Sequence, residues 1–153
     1  MSKEEMKQKI EQICEELGID LVWIKAGKNC ANRHQKSVWV NDIGDSGDFT
    51  VALHEIGHTQ CDPHNKQATA RENLDAETNA WKWARERNDG TFDAEGWKRL
   101  HESLLEYYHL VMDTSHLAHQ LLMEAERQND AIRPRVSSFA VKINLTHKKR
   151  TTL

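Results

Sequence analysis

The chain has 153 residues, of which 38% are hydrophobic and 29% are charged, and its formal net charge is −3. This length and balance predict one globular domain with a sizeable core. No apolar run is long enough to span a bilayer, the N-terminus lacks the apolar core of a signal peptide, and the three cysteines form no CxxC pair. We therefore expect a cytoplasmic protein that does not contact the membrane.

The first forty residues predict one helix and two strands. Apolar residues recur at helical spacing over residues 6–17, and Gly18 follows them as a C-cap glycine would. Residues 21–24 and 37–40 are rich in β-branched and aromatic side chains, and the loop between them is polar. A hairpin or another strand pair is the expected structure.

Residues 54–58 read His-Glu-Ile-Gly-His, which is an HExxH motif. On a helix, His54 and His58 lie one turn apart and can hold a zinc ion together, whereas Glu55 is rotated away by about 100°. Glu55 is therefore predicted to be the general base that acts on a metal-activated water molecule. The alternative, two exposed histidines on an amphipathic helix, leaves the spacing and the central glutamate unexplained.

The residues around the motif predict that it lies on a helix. One apolar stripe is formed by Phe49, Ala52, Leu53 and Ile56. Asp48 precedes the stripe, where its side chain would cap the helix. Both histidines fall off the stripe, so the helix is expected to pack by one side and to line a cleft with the other.

A catalytic zinc site needs a third protein ligand, and two residues compete for that position. Glu77 lies on a predicted helix over residues 71–88, near the middle of its apolar arc. Burying an unpaired carboxylate is costly, so a cation facing Glu77 explains its position. His64 completes a spacing like HExxHxxGxxH, but Cys61 stands where that pattern has glycine. We favour Glu77 and keep His64 as the second candidate.

Beyond residue 90 an apolar stripe with helical period continues to Ala125, with a break near residues 113–115. One or two helices are therefore predicted to pack behind the HExxH helix, and the same stripe suits a homodimer interface. Tyr107, Tyr108 and His101 are candidates for a hydrogen-bond donor to an oxyanion, outside the committed set of site residues.

Positive charge is concentrated at the C-terminus. Six of the 21 Lys and Arg residues lie in residues 131–153, which contain no Asp or Glu. We divide the chain into a domain over residues 1–130 and a basic segment over residues 131–153, partly strand-like or mobile. Basic residues without interleaved aromatics are a weak signal for nucleic acid, so we expect this segment to dock on the acidic body or to be solvated.

The HExxH motif and residues 77–84, Glu-Thr-Asn-Ala-Trp-Lys-Trp-Ala, together resemble the ImmA/IrrE family of zinc metallopeptidases. That family has HExGH followed by ExxAxxFA, and Trp83 replaces the usual Phe. The resemblance covers roughly residues 20–110. It implies a zinc site of the gluzincin kind, with His54, His58 and Glu77 as ligands and Glu55 as base. It also implies an edge strand that pairs with the peptide substrate, for which residues 38–40 are the candidate.

These observations predict an α+β, zincin-like domain with a small β-sheet, an HExxH active-site helix and packed C-terminal helices. The expected function is zinc-dependent hydrolysis of a peptide bond in a cytoplasmic protein, such as a repressor or regulator. The alternative is a zinc-binding phage or mobile-element protein that acts by binding a host factor without hydrolysis. A third possibility, a nucleic-acid binder led by the basic segment, predicts binding that depends steeply on salt.

Overall fold

Five α-helices and three β-strands make up residues 1–61 and 69–136, the part of the chain that the computed structural model describes. In chain order they are α1 (Lys3–Leu17), β1 (Asp20–Ile24), β2 (Cys30–Asn32), β3 (Ser37–Asn41), α2 (Ser46–Cys61), α3 (Ala70–Arg87), α4 (Ala94–His109) and α5 (Leu117–Gln128). The fold is therefore α+β, as predicted. Within these residues no helix has the length and apolar character that a membrane crossing requires.

Helix α1 begins and ends where its sequence directs. The Ser2 hydroxyl accepts from the backbone N–H of Glu5, and the Glu5 carboxylate accepts from the backbone N–H of Ser2, which is a complete capping box. Gly18 ends the helix in the left-handed conformation, with φ of 68°. The predicted first helix is confirmed.

The three strands form one sheet with the order β1-β3-β2. Strands β1 and β3 are parallel, with Leu21 opposite Val38, whereas β2 is antiparallel to β3. The predicted pair of strands is confirmed, but a hairpin is excluded because the two strands run in the same direction. The loop that was predicted between them contains the short third strand, β2.

The prediction that residues 38–40 form a substrate-binding edge strand is wrong. Strand β3 lies at the centre of the sheet, and its Val38 and Val40 side chains are fully buried. The two edges are formed by β1 and β2, and β2 is the edge that lies beside the cleft. Its neighbouring loop is held by Asn41, whose side-chain amide donates to the carbonyl of Gly27 at 2.9 Å and whose backbone N–H donates to the Asn29 side chain at 2.6 Å.

Helix α2, which carries the HExxH motif, begins earlier than its apolar stripe indicates. Asp45 rather than Asp48 is the capping residue, because the Asp45 carboxylate accepts from the backbone N–H of Asp48 at 2.8 Å. The Asp48 carboxylate in turn accepts from the backbone N–H groups of Gly44 and Asp45, at 2.9 and 3.3 Å. The prediction of Asp48 as the N-cap is therefore wrong, and the cap lies three residues earlier, at Asp45.

The motif helix is the central element of the core. Helix α2 contacts α1, β3, α3 and α4, and α5 packs mainly on α4. The predicted C-terminal helices are thus confirmed, with the break between them at residues 110–116. Ile132 and Val136, at the start of the predicted basic segment, are buried, and the backbone N–H of Val136 donates to the Glu126 carboxylate. Residues 137–153, and with them the strand-like pattern, lie outside the described residues.

Helices α2 and α3 are in close contact at Gly57. A Cβ atom added at Gly57 would lie 2.7 Å from the carbonyl oxygen of Ala80 and 3.1 Å from its Cα atom. Only glycine fits here without a backbone shift. Since Ala80 follows Glu77 by about one turn and Gly57 precedes His58, this contact determines how near Glu77 comes to the two histidines.

Replacing Gly57 with alanine should separate these two helices. We expect Gly57→Ala to lower the free energy of unfolding by about 1–3 kcal/mol, as overpacking of a close-packed interior does. Denaturant unfolding of the metal-free protein measures this loss. Gln60→Ala, at a half-buried position on the same helix, serves as the control and should change stability much less. Equal stabilities for the two variants would mean that the helix contact is not tight.

Candidate metal centre

Helix α2 brings the two motif histidines together in the interior. The Nε2 atoms of His54 and His58 lie 3.1 Å apart, and their rings meet edge to face with centroids 4.5 Å apart. Both side chains are buried, with 3% and 7% of their surface exposed. The spacing of one helical turn therefore brings the two imidazoles together, as the sequence predicts. Their burial rules out the alternative of two solvent-exposed histidines.

Helix α3 supplies the third group. Thr69 caps this helix, because its hydroxyl accepts from the backbone N–H of Glu72. Two turns further on, one Glu77 oxygen lies 3.0 Å from Nε2 of His54 and the other lies 3.3 Å from Nε2 of His58. The three donors together are a group that could hold a metal ion. His64, the rival third ligand, lies outside the described residues.

These donor atoms lie close enough together to bind one metal ion. Two ligands with bonds of about 2.0–2.1 Å to a tetrahedral zinc ion lie about 3.3–3.4 Å from each other. The Nε2 atoms of His54 and His58 lie 3.1 Å apart, and each lies close to a different oxygen of Glu77, at 3.0 and 3.3 Å. One donor atom from each of the three residues lies within 4.8 Å of the other two. Two imidazole nitrogens and one carboxylate oxygen are also a donor set that zinc accepts. The residues present therefore fit the ion that the motif implies.

Glu77 is held as a carboxylate. Its burial raises the pKa, but hydrogen bonds and charge from His54 and His58 outweigh burial and bring the pKa of Glu77 far below its usual range. The negative charge near the middle of an otherwise apolar arc is thus matched by its partners across the α2–α3 interface. This is the arrangement that the sequence predicts for Glu77.

Glu55 differs from Glu77 in its surroundings. It lines the cleft beside the cluster without belonging to it. Burial raises the pKa of Glu55, and the neighbouring charges of His54 and His58 oppose that rise only in part. A carboxylate with a raised pKa is the stronger base. The two glutamates are therefore suited to different roles, Glu77 to binding a cation and Glu55 to accepting a proton.

The ring of His54 is positioned by Trp81, which lies one turn beyond Glu77 on α3. The two rings stack with centroids 4.2 Å apart and planes 22° from parallel. The indole N–H of Trp81 points to the Ser103 hydroxyl on α4, at 3.4 Å. Nδ1 of His54 is buried and has no hydrogen-bond partner among the described residues. Stacking therefore orients this imidazole where a hydrogen bond would usually do so.

The cluster residues line a cleft of about 620 Å³. One wall comes from helices α2, α3 and α4, and the other comes from β2 and the loop before it. Arg33, directly after β2, reaches across the cleft, and its Nη2 atom lies 3.0 Å from Nδ1 of His58. Sequence reasoning missed Arg33, since a single arginine in a turn belongs to no motif.

Of the three predicted oxyanion donors, Tyr107 alone lines the cleft. The negative charge of Glu77 raises the pKa of the Tyr107 phenol, and burial adds to the rise. Tyr108 is buried elsewhere, with its hydroxyl 2.8 Å from Nδ1 of His119, and His101 pairs with Glu126 at 3.3 Å. Those two side chains serve the packing of α4 against α5.

No protein-family model, no curated protein and no solved structure matches this chain.

Replacing Glu77, the candidate third ligand, tests whether the cluster binds a metal ion. Loss of a residue that only hydrogen-bonds a metal ligand typically weakens metal affinity by roughly 10–100-fold. We expect Glu77→Ala to weaken zinc affinity by more than this, because Glu77 contacts both histidines and is itself a proposed ligand. His64→Ala should have a much smaller effect. Competition titration with a zinc chelator measures both affinities, with Glu86→Ala on the exposed side of α3 as the control. The reverse order would make His64 the third ligand.

Proposed function

We propose that this chain is a zinc-dependent metallopeptidase with a zincin-like fold, in which His54, His58 and Glu77 hold the ion and Glu55 is the general base. The observation that carries the proposal is the convergence of two imidazoles and one carboxylate beside a second carboxylate in the same cleft. Among the described residues the cluster has three donors, the number that a catalytic zinc site uses.

The role of Glu55 favours hydrolysis over other uses of the same donors. Imidazole and carboxylate ligands also suit iron, which supports oxygen chemistry in other proteins. Neither that chemistry nor a structural zinc requires a buried carboxylate beside the ligands. Hydrolysis benefits from one, because the attacking water must lose a proton.

Zinc would supply Lewis-acid activation of the water and the substrate carbonyl when it is bound. Glu55 would accept the proton from the attacking water and pass it to the amide nitrogen that leaves. The Tyr107 hydroxyl, on the α4 side of the cleft, can donate a hydrogen bond to the oxygen on which negative charge develops. Each of these side chains lines the cleft.

Strand β2 offers a place for the peptide. It pairs with β3 on one side, and its other edge pairs with no strand in residues 1–61 and 69–136. Cys30 and Ala31 of this strand line the cleft. An extended peptide that adds to this edge would present its carbonyl groups to the cluster. The substrate-binding edge that the family resemblance implies is thus better assigned to β2.

The substrate that the resemblance suggests is a cytoplasmic protein, such as a repressor or regulator. Metal analysis of the purified protein, followed by incubation with candidate regulators and with a mixed peptide library, tests the proposal. Mass spectrometry should find about one zinc per chain and new peptide termini that disappear when a chelator is added. Zinc-loaded protein that cleaves neither the regulators nor the library would contradict the proposed hydrolysis.

A further inference from the structure

Arg33 is a cation in direct contact with a residue of the candidate metal centre. Its Nη2 atom hydrogen-bonds Nδ1 of His58 at 3.0 Å, from the opposite wall of the cleft. Its Nε atom is buried and has no hydrogen-bond partner among the described residues. A buried N–H of a charged group without an acceptor is costly, so this guanidinium has unused capacity for an anion.

The hydrogen bond between Arg33 and His58 is compatible with one form of the imidazole only. A guanidinium donates and cannot accept, so Nδ1 of His58 must be the nitrogen without a proton. Nε2 then carries the proton and faces Glu77 at 3.3 Å. When an imidazole binds a metal through Nε2, its proton lies on Nδ1, and Nδ1 can no longer accept from Arg33.

Metal binding would therefore release Arg33 from His58 inside the cleft. A positive group close to a bound cation is unfavourable unless an anion lies between or beside them. The planar fork of a guanidinium matches a carboxylate with two parallel hydrogen bonds. The backbone that carries Arg33 directly follows β2, so the fork lies at the end of the edge that we assign to the peptide.

We propose that Arg33 binds a carboxylate of the substrate, so that the enzyme selects peptides with an acidic group close to the bond that is cleaved. This inference rests on the proposed metallopeptidase function. The carboxylate is either that of an Asp or Glu side chain or the C-terminal carboxylate of the peptide. Both present the same two oxygens to the guanidinium, and small probes separate them.

Calorimetric titration of the zinc-loaded protein with four blocked amino acids tests the proposal. N-acetyl-aspartate amide carries a side-chain carboxylate and N-acetyl-glycine carries a terminal one, while N-acetyl-asparagine amide and N-acetyl-glycine amide are their neutral counterparts. At least one acid should bind more tightly than its neutral counterpart. Arg33→Gln should weaken that binding by about tenfold or more, as the loss of a charged hydrogen-bond pair does.

Lys25 provides the matched control. It is an exposed cation directly after β1, and it is not among the residues that line the cleft. Lys25→Gln should change the affinity for the acid by less than about twofold. Arg33→Lys keeps the charge without the fork and should fall between Arg33→Gln and the unchanged protein. Circular dichroism and zinc content verify that each variant is folded and contains zinc. If Arg33→Gln does not fold or does not bind zinc, the affinity of Arg33→Lys for the acid decides the question.

The outcomes separate this inference from the proposed function. Acids that bind the Arg33 variants as tightly as the unchanged protein would contact the metal alone, and that result overturns the role of Arg33 even if peptides are cleaved. Binding that depends on Arg33 without any cleavage would support the carboxylate site and contradict hydrolysis. If the protein has both the carboxylate site and the hydrolytic activity, the bonds cleaved in the peptide library should lie preferentially near acidic residues or near the C-terminus. Arg33→Gln should abolish this preference.

Discussion

Replacing Glu55 with glutamine should leave zinc binding intact and lower the rate of peptide-bond cleavage by about 10²–10⁴-fold, the usual contribution of a general base. Glutamine keeps the size and polarity of the side chain but cannot accept the proton of an attacking water. Glu55 does not belong to the cluster of donor atoms, so the metal should be retained. Steady-state cleavage rates together with zinc content per chain measure the two effects separately.

The same substitution distinguishes an enzyme from a protein that acts by binding. A zinc-containing protein that only binds a host factor would lose nothing in Glu55→Gln, because the metal and the fold are unchanged. Glu86→Gln, on the exposed side of α3, is the control for a glutamate outside the cleft. Full activity of Glu55→Gln in cells would contradict the hydrolytic function and support the binding function.

The raised pKa of Glu55 and the lowered pKa of Glu77 follow from one difference in geometry. Both carboxylates are largely buried, which raises the pKa of each. Only Glu77 lies within hydrogen-bond distance of both Nε2 atoms, and these contacts reverse the effect of burial. On α2, the side chain of Glu55 is rotated away from the two ligands by the helical period. The proposed division between ligand and base therefore follows from backbone geometry.

The candidate ligands could be predicted because each depends on a local pattern. His54 and His58 are four residues apart, and a helix alone brings them together. Glu77 is recognisable because a carboxylate in an apolar arc needs a partner. The structure brings all three within reach of one ion. Their meeting also depends on Gly57, whose missing side chain lets α3 approach, and the sequence alone does not show which helix it contacts.

The opposite wall of the cleft could not be predicted in the same way. Strand β2 has three residues and pairs with β3 through hydrogen bonds that no local pattern specifies. Strand propensity is the same for parallel and antiparallel pairing, so β1 and β3 were expected as a hairpin or a pair without a defined direction. Arg33 depends on this wall for its position. Its contact with His58 spans 25 residues and leaves no periodic trace in the sequence.

Removing both histidines should abolish the metal site. We expect zinc to co-purify at about one equivalent per chain and to be lost from a His54→Ala, His58→Ala double variant, because two of the three proposed ligands are removed. The fall in affinity should exceed the roughly 10–100-fold that follows the loss of a residue behind a ligand. Elemental analysis after purification and chelator competition measure the content and the affinity.

Stability should change together with the metal. Without an ion, the buried Glu77 carboxylate has hydrogen bonds to the two imidazoles, at 3.0 and 3.3 Å, and one to Tyr107. The double variant removes both imidazole partners, so it should be less stable than the metal-free protein by about 1–3 kcal/mol. His109→Ala, at the exposed end of α4, is the control for loss of a histidine elsewhere. Adding Glu77→Ala should restore part of the stability without restoring zinc.

Full zinc content in the double variant would mean that the ion binds elsewhere in the chain, and the assignment of the cluster would be wrong.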